Sequence, residues 1–144
     1  MAKFASQLPE RLPALAAALW WGGLTVIGFI AVPLLFAHLP SPSIAGRMAA
    51  TLFTAQTWVS VACTALLLVL AKRRHAEAEE PWARDVLAWV IAGMLLALLV
   101  QFGVSPRIVA KQDLRLWHGV GSAMYAVQWL CALRVLWRCC APAR

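Results

Sequence analysis

The sequence predicts an all-α integral membrane protein: a four-helix bundle in which residues 1–144 form a single transmembrane domain with both termini in the cytoplasm. Three observations carry that expectation. First, 62% of the residues are hydrophobic and 13% charged, with a mean hydropathy of +0.74, whereas a soluble domain carries about 25% charged residues. So little charge cannot coat a water-facing exterior, and lipid has to solvate much of it. Second, the charges leave four long uncharged runs, at 12–46, 48–71, 86–106 and 116–133, where a bilayer core takes about 20 helical residues. Third, none of these runs alternates apolar and polar residues as a barrel strand does. Only helices and closed barrels satisfy the backbone in hydrocarbon, so helices remain.

Helix 1 is expected over about 13–36 and contains Gly22, Gly23, Gly28 and Pro33. Pro33 has no N–H, so the Phe29 carbonyl loses its helical partner and the helix kinks. A cleaved signal peptide is the rival reading, with Ser43 and Ala45 as the small-residue site. The apolar run before them is far longer than a signal-peptide core, which favours a retained span. The run exceeds one span because it includes the connection "HLPSPSIAG". Helix 2, about 48–70, carries Thr57, Ser60 and Thr64 at helical spacing, beside a stripe of Gln56, Ser60 and Cys63. These read as hydroxyl glue between helices, on a face that could also line a cavity. Helix 3, about 86–104, is the blandest, with Gly93 and Gln101 its only interruptions of note. The charged connection before it, "AKRRHAEAEEPWARD", is too short for a second domain. Helix 4 is expected over about 114–137; its uncharged run is short, but Arg134 can snorkel toward the headgroups.

The formal net charge is +7. One side of the membrane would hold Lys3, Arg11, Lys72, Arg73, Arg74, Arg84, Arg134, Arg138 and Arg144, the other Arg47, Arg107, Lys111 and Arg115. Nine cations against four argue for both termini in the cytoplasm; the expected location is a bacterial inner (plasma) membrane, as a multi-pass protein. The basic balance then reads as contact with anionic lipids; no basic, aromatic-interleaved segment supports nucleic-acid binding. All six acids, Glu10, Glu77, Glu79, Glu80, Asp85 and Asp113, lie outside the expected spans, which excludes an intramembrane carboxylate relay. The chain has no P-loop, no His-Glu-x-x-His motif and no G-x-S-x-G elbow, so no catalytic residue is assigned. Cys63 and Cys131 fall inside helices, and Cys139 and Cys140 in a cytoplasmic tail, where free thiols are expected. The tail also lacks a prenylation pattern. Residues 41–53, "SPSIAGRMAATLF", align without gaps on 105–117, "SPRIVAKQDLRLW". Two duplicated hairpins would give such a match; so would ordinary Ser-Pro turn chemistry.

Helix 4 holds the most chemistry. Lys111, Arg115, His118, Ser122, Tyr125 and Trp129 recur at intervals of three and four, a single helical stripe running from headgroups to bundle interior. With Arg107, the first five of these are the candidate ligand-pocket residues. The plainer account gives the cations to lipid phosphates, Trp117 to the aromatic belt, and the hydroxyls to interhelical hydrogen bonds. Gly119, Gly121 and Ala123 on the flanks permit close approach, and Pro33, Gly22, Gly28 and Gly119 are assigned structural roles. His38 and His118 are expected at similar depth and could ligate a metal or haem iron if helices 1 and 4 touch. Three functions follow: an uncharacterised inner-membrane protein whose outer-facing polar pocket handles a small solute or metal; a redox protein binding haem or metal; or an accessory subunit that oligomerises with itself or another membrane protein. No cofactor is predicted, with haem or copper as the alternative.

The segments "LWWGGLTVIGFIAVPLLFAHLP", "AGRMAATLF" and "PRIVAKQDLRLWHGVGSAMY" resemble the transmembrane-protein-205-like domain family, a domain of unknown function. The resemblance spans about 12–133 and is most specific at Leu35, Phe36, Leu39 and Pro40, and at Pro106, Arg107, Ile108, His118, Gly119 and Ser122. It implies a four-helix membrane bundle distantly like copper-resistance-D-like membrane proteins, for which metal or haem handling would be worth testing. The family pattern often has Asn where this chain has Tyr125. It implies no activity.

Overall fold

In the computed structural model the backbone is described for residues 2–78 and 81–141, and side chains for 11–73 and 86–141. The helices are α1 (Ala2–Val26), a π-helical turn π1 (Ile27–Ala31), α2 (Val32–His38), α3 (Pro42–Ala78), α4 (Pro81–Leu99), a second π-turn π2 (Val100–Val104), α5 (Ser105–Val109) and α6 (Leu114–Cys140). They join into four rods: α1–π1–α2, α3, α4–π2–α5 and α6. Each rod contains a stretch long and apolar enough to cross a membrane, at Arg11–His38, Pro42–Arg73, Val86–Val109 and Leu114–Cys140. The protein is all-α, with no strand among the described residues.

Several boundaries differ from expectation, each for a local reason. The second rod starts at Pro42, six residues early. The Ile44 N–H donates to Ser41 Oγ at 3.3 Å, so Ser41 caps the helix. Proline at the first helical position sacrifices no hydrogen bond. At its far end α3 runs to Ala78 and α4 begins at Pro81, so the charged connection is nearly all helix; Glu79 and Glu80 lie outside the described residues. Cys139 and Cys140 belong to the last turn of α6 rather than to a tail.

The expected break at Pro33 takes the form of a π-turn. The Val32 N–H donates to the Ile27 carbonyl five residues back, and the Ser105 N–H does the same to Val100, immediately before Pro106. A proline ring collides with the carbonyl four residues earlier in a regular helix. One extra residue in the preceding turn lets the chain bend around it. This pairs Pro33 with Pro106 as structural counterparts. The gapless alignment instead paired Pro106 with Pro42, which opens a helix rather than following a π-turn, so the two hairpins do not repeat in that register.

α1 packs on α3 and α6, and α4 packs on the same two, giving a ring of four rods. The core lies toward the end of the bundle that carries the chain termini, around Trp20, Leu24, Leu67, Val90, Cys131 and Val135. Gly93 makes room for it: a Cβ there would stand 2.4 Å from the edge of the fully buried Trp20 ring. On the first rod and α6 burial fades toward the other end, where the connections at 39–41 and 110–113 lie, while Ala45, Ala49 and Val104 of the other two rods stay buried there. On the first rod no residue beyond Leu24 is buried, and on α6 none before Gln128. There α2 stays against α3, and π2 and α5 stay against α6, while the extensive packing between the two hairpins gives out. The hairpins are fused over one half and part over the other, and the parting begins at the π-turns.

Gly93→Ala is therefore expected to lower the thermal midpoint in detergent, because overpacking a closed core costs about 1–3 kcal/mol. Gly22→Ala, whose Cβ would meet nothing within 4 Å, should leave the midpoint unchanged or raise it, since alanine is the better helix former by about 1 kcal/mol. Equal losses in both variants would contradict this packing.

Candidate functional site

Where the hairpins part, they enclose a cavity of about 460 Å³ lined by all four rods. Leu24, Ser60 and Gln128 stand at its closed end, directly above the packed core. On the first rod the lining climbs from Leu24 to Phe36 and on α6 from Gln128 to His118, a depth of ~15–18 Å at the helical rise per residue. Its polar groups are Gln56, Thr57 and Ser60 on α3, Gln101 on π2, Ser105 on α5, and His118, Ser122, Tyr125 and Gln128 on α6. No Asp, Glu, Lys or Arg is among the lining residues. The rest of the wall is apolar, with Phe29, Phe36 and Phe53 its largest side chains.

Tyr125 forms the shoulder between core and cavity. Its hydroxyl donates to the Leu24 carbonyl at 2.7 Å, and its ring meets Phe53 edge-on at 5.3 Å between centroids. The ring fits only because π1 carries Gly28, where a Cβ would lie 2.5 Å from Tyr125 Cε1. One turn deeper, Trp129 Nε1 donates to Thr25 Oγ1 at 2.8 Å, and Thr25 donates in turn to the Trp21 carbonyl at 2.8 Å. The Trp129 ring packs against Trp21 and Phe29 at 5.7 and 5.8 Å. These contacts clamp α6 to the first rod at the level where the hairpins separate.

The three glutamines are satisfied to different degrees. Gln101 Nε2 donates to Thr54 Oγ1 at 3.4 Å, bridging the second and third rods. Gln56 Nε2 donates to Ser60 Oγ at 3.4 Å on its own helix. The Gln128 side chain is 3% exposed, lines the cavity, and makes no hydrogen bond to another described residue. A buried amide needs a hydrogen-bond partner, and this one opens onto the cavity rather than onto protein.

Of the six pocket candidates from the sequence, His118, Ser122 and Tyr125 line the cavity; Arg107, Lys111 and Arg115 do not. The Arg107 guanidinium lies 4.5 Å over the Trp117 ring and bonds the Gly103 carbonyl. Lys111 and Arg115 are exposed. The stripe fails at Lys111 because that residue precedes the helix. Lys111 and Asp113 adopt φ of 56° and 28° in the connection, and α6 starts only at Leu114, capped by Asp113, which accepts from the Leu116 N–H at 3.2 Å. His38 is exposed, its Nδ1 3.1 Å from the Leu34 carbonyl of its own helix. The cavity therefore receives one imidazole and not the other. No group of three or more His, Cys, Asp or Glu side chains with metal-binding placement occurs among the described residues. Gly119, like Gly22, faces open space; the close helix approaches fall at Gly23, Gly28 and Gly93, and at the expected Gly121, where a Cβ would stand 3.3 Å from Val104 Cγ1.

Gln101, Ser105 and Gln128 carried no assigned role in the sequence reading. A signal for the glutamines existed: an amide inside a lipid-spanning run has to find a partner or a cavity. Gln128 follows Tyr125 by three residues, an interval the stripe itself uses, so helical spacing alone places it beside Trp129 at the stripe's inner end.

A family model described as "Domain of unknown function (DUF4149)" matches residues 15–116. The match takes in the first three rods of the cavity wall and stops short of His118, Ser122, Tyr125 and Gln128. Neither the curated proteins nor the solved structures provide a match to the chain, and nothing in these comparisons links it to transmembrane-protein-205-like or copper-resistance-D-like proteins. With more than two thirds of its length matched, the chain belongs to the DUF4149 family, a domain of unknown function.

Proposed function

We propose that this multi-pass membrane protein holds a small uncharged molecule in the cavity between its two hairpins. The observation that carries the reading is a lining of amides and hydroxyls without any fixed charge, ending on the unpartnered Gln128. A volume of about 460 Å³ falls within the usual range for small-molecule sites, roughly 300–1,000 Å³. The closed end favours a binding pocket over a through-channel, because Trp20, Leu67, Val90 and Val135 fill the bundle beneath it. One imidazole with no thiol or carboxylate beside it is a poor donor set for a metal ion, so the lining favours a neutral organic molecule. The charge count supports an open end on the far side of the membrane from the cytoplasm.

Accessibility tests the pocket. In a variant lacking Cys63, Cys131 and Cys139, Ser122→Cys should react with N-ethylmaleimide. Adding Ala50→Trp, which fills the cavity, should slow that reaction at least tenfold while the exposed Cys140 keeps its rate. Equal rates at position 122 with and without the tryptophan would overturn the reading. Orientation has its own test. A reporter active only outside the cytoplasm, fused after Arg144, should stay silent, and an active reporter would reverse the topology.

A further inference from the structure

Resting on that reading, we infer that the occupant is a lipid-borne amphipath: a hydrocarbon body with an uncharged head that both donates and accepts a hydrogen bond, an alcohol or an amide, seated with its head at Gln128. The entrance supports delivery from lipid. Phe29 and Phe36 line the cavity, yet are 57% and 51% exposed. On α6, His118, Ser122 and Ala126 likewise line it and are exposed. Phe29 and Phe36 belong to the Arg11–His38 span, and Ser122 and Ala126 to the Leu114–Cys140 span. Residues that face both the cavity and the outside mark an opening along the seam between the first rod and α6, where packing between the hairpins lapses. Outside that seam is hydrocarbon.

Shape agrees. The lining runs ~15–18 Å deep at the helical rise per residue between four rods, so an elongated molecule fits it lengthwise. The head group follows from the closed end. Gln128 presents an N–H₂ and a carbonyl, both unpaired. Its neighbours are partly committed: Gln56 Nε2 to Ser60, and Thr57 Oγ1 to the Phe53 carbonyl at 3.0 Å. A head that only accepts would leave the Gln128 carbonyl bare, and a bare hydrocarbon end would leave both groups so. A charged head would find no counter-charge in the lining. A hydroxyl or an amide answers both halves of the glutamine.

The probes are 1-decanol and decanamide, with decane (chain without head) and glycerol (head without chain) as controls. The protein is held in nanodiscs, and protection of Ser122→Cys from N-ethylmaleimide is read alongside one-to-one adducts by native mass spectrometry. Decanol and decanamide should protect saturably, at concentrations at least tenfold below decane or glycerol. Gln128→Leu should weaken decanol at least tenfold without lowering the thermal midpoint, because it removes an unpaired amide; Ala50→Trp should abolish protection by every probe. Protection by decane or glycerol as strong as by decanol, or decanol binding unchanged in Gln128→Leu, overturns the assignment and leaves the pocket standing. Protection by none of the four, with ordered water alone at Gln128, sinks both.

Discussion

The hydrogen bond from the Tyr125 hydroxyl to the Leu24 carbonyl is the constraint on which the architecture turns. Lipid tails are as apolar as leucine, so no hydrophobic force presses helices together within a bilayer; packing and hydrogen bonds do it. Leu24 is the last buried residue of the first rod, and the bond to its carbonyl fixes α6 there. On one side of that point the side chains interdigitate around Trp20. On the other side the hairpins separate and the cavity begins. Trp129, bonded to Thr25 and packed between Trp21 and Phe29, holds the same seam from below, which keeps the shoulder from sliding along the first rod.

The π-turns make the parting compatible with continuous helices. A bend in a membrane helix exposes backbone groups to hydrocarbon unless they are re-satisfied locally. At Pro33 and Pro106 the preceding N–H reaches back five residues, so the chain turns while keeping its bonds. Both turns lie on the cavity wall, contributing Gly28 and Phe29 from one and Gln101 and Val104 from the other. Gly28 lies within the first of them, so the widened turn and the missing side chain act together to admit the Tyr125 ring.

The rods were legible because they follow from where charge is absent, a property of the sequence alone. Starts and stops were less so. Ser41 and Pro42 are a cap and a first helical residue, but the same dipeptide opens loops, and only the Ile44–Ser41 bond separates the two. In the candidate site, the part of the stripe from His118 through Tyr125 reaches the cavity, while Arg115, in the first turn of α6, stays exposed outside it. The stripe's extension to Lys111 assumed helical phase through a connection whose positive φ values break it. Arg107 is drawn aside by Trp117, a neighbour that helical spacing from Arg115 or His118 does not reveal. Gln101 shows the opposite case: it looked like an isolated interruption because its partner, Thr54, is on another rod.

Polarity inside a bilayer has to be justified by a partner, and the three cavity glutamines show what counts as one. Gln101 finds it across the bundle and Gln56 on its own helix; Gln128 finds none among the described residues. The matched stretch of the family ends at 116 and so covers the cavity's container: both π-turns, both prolines and the α3 wall. The group at its floor lies beyond, on α6. On the proposed reading such a container need not imply one occupant, since an amide at the closed end would discriminate among heads while the apolar walls would accept any chain that fits. Exchanging the side chain at position 128 would then change what the slot selects without changing the slot, because neither the Tyr125–Leu24 bond nor the core beneath it depends on that amide.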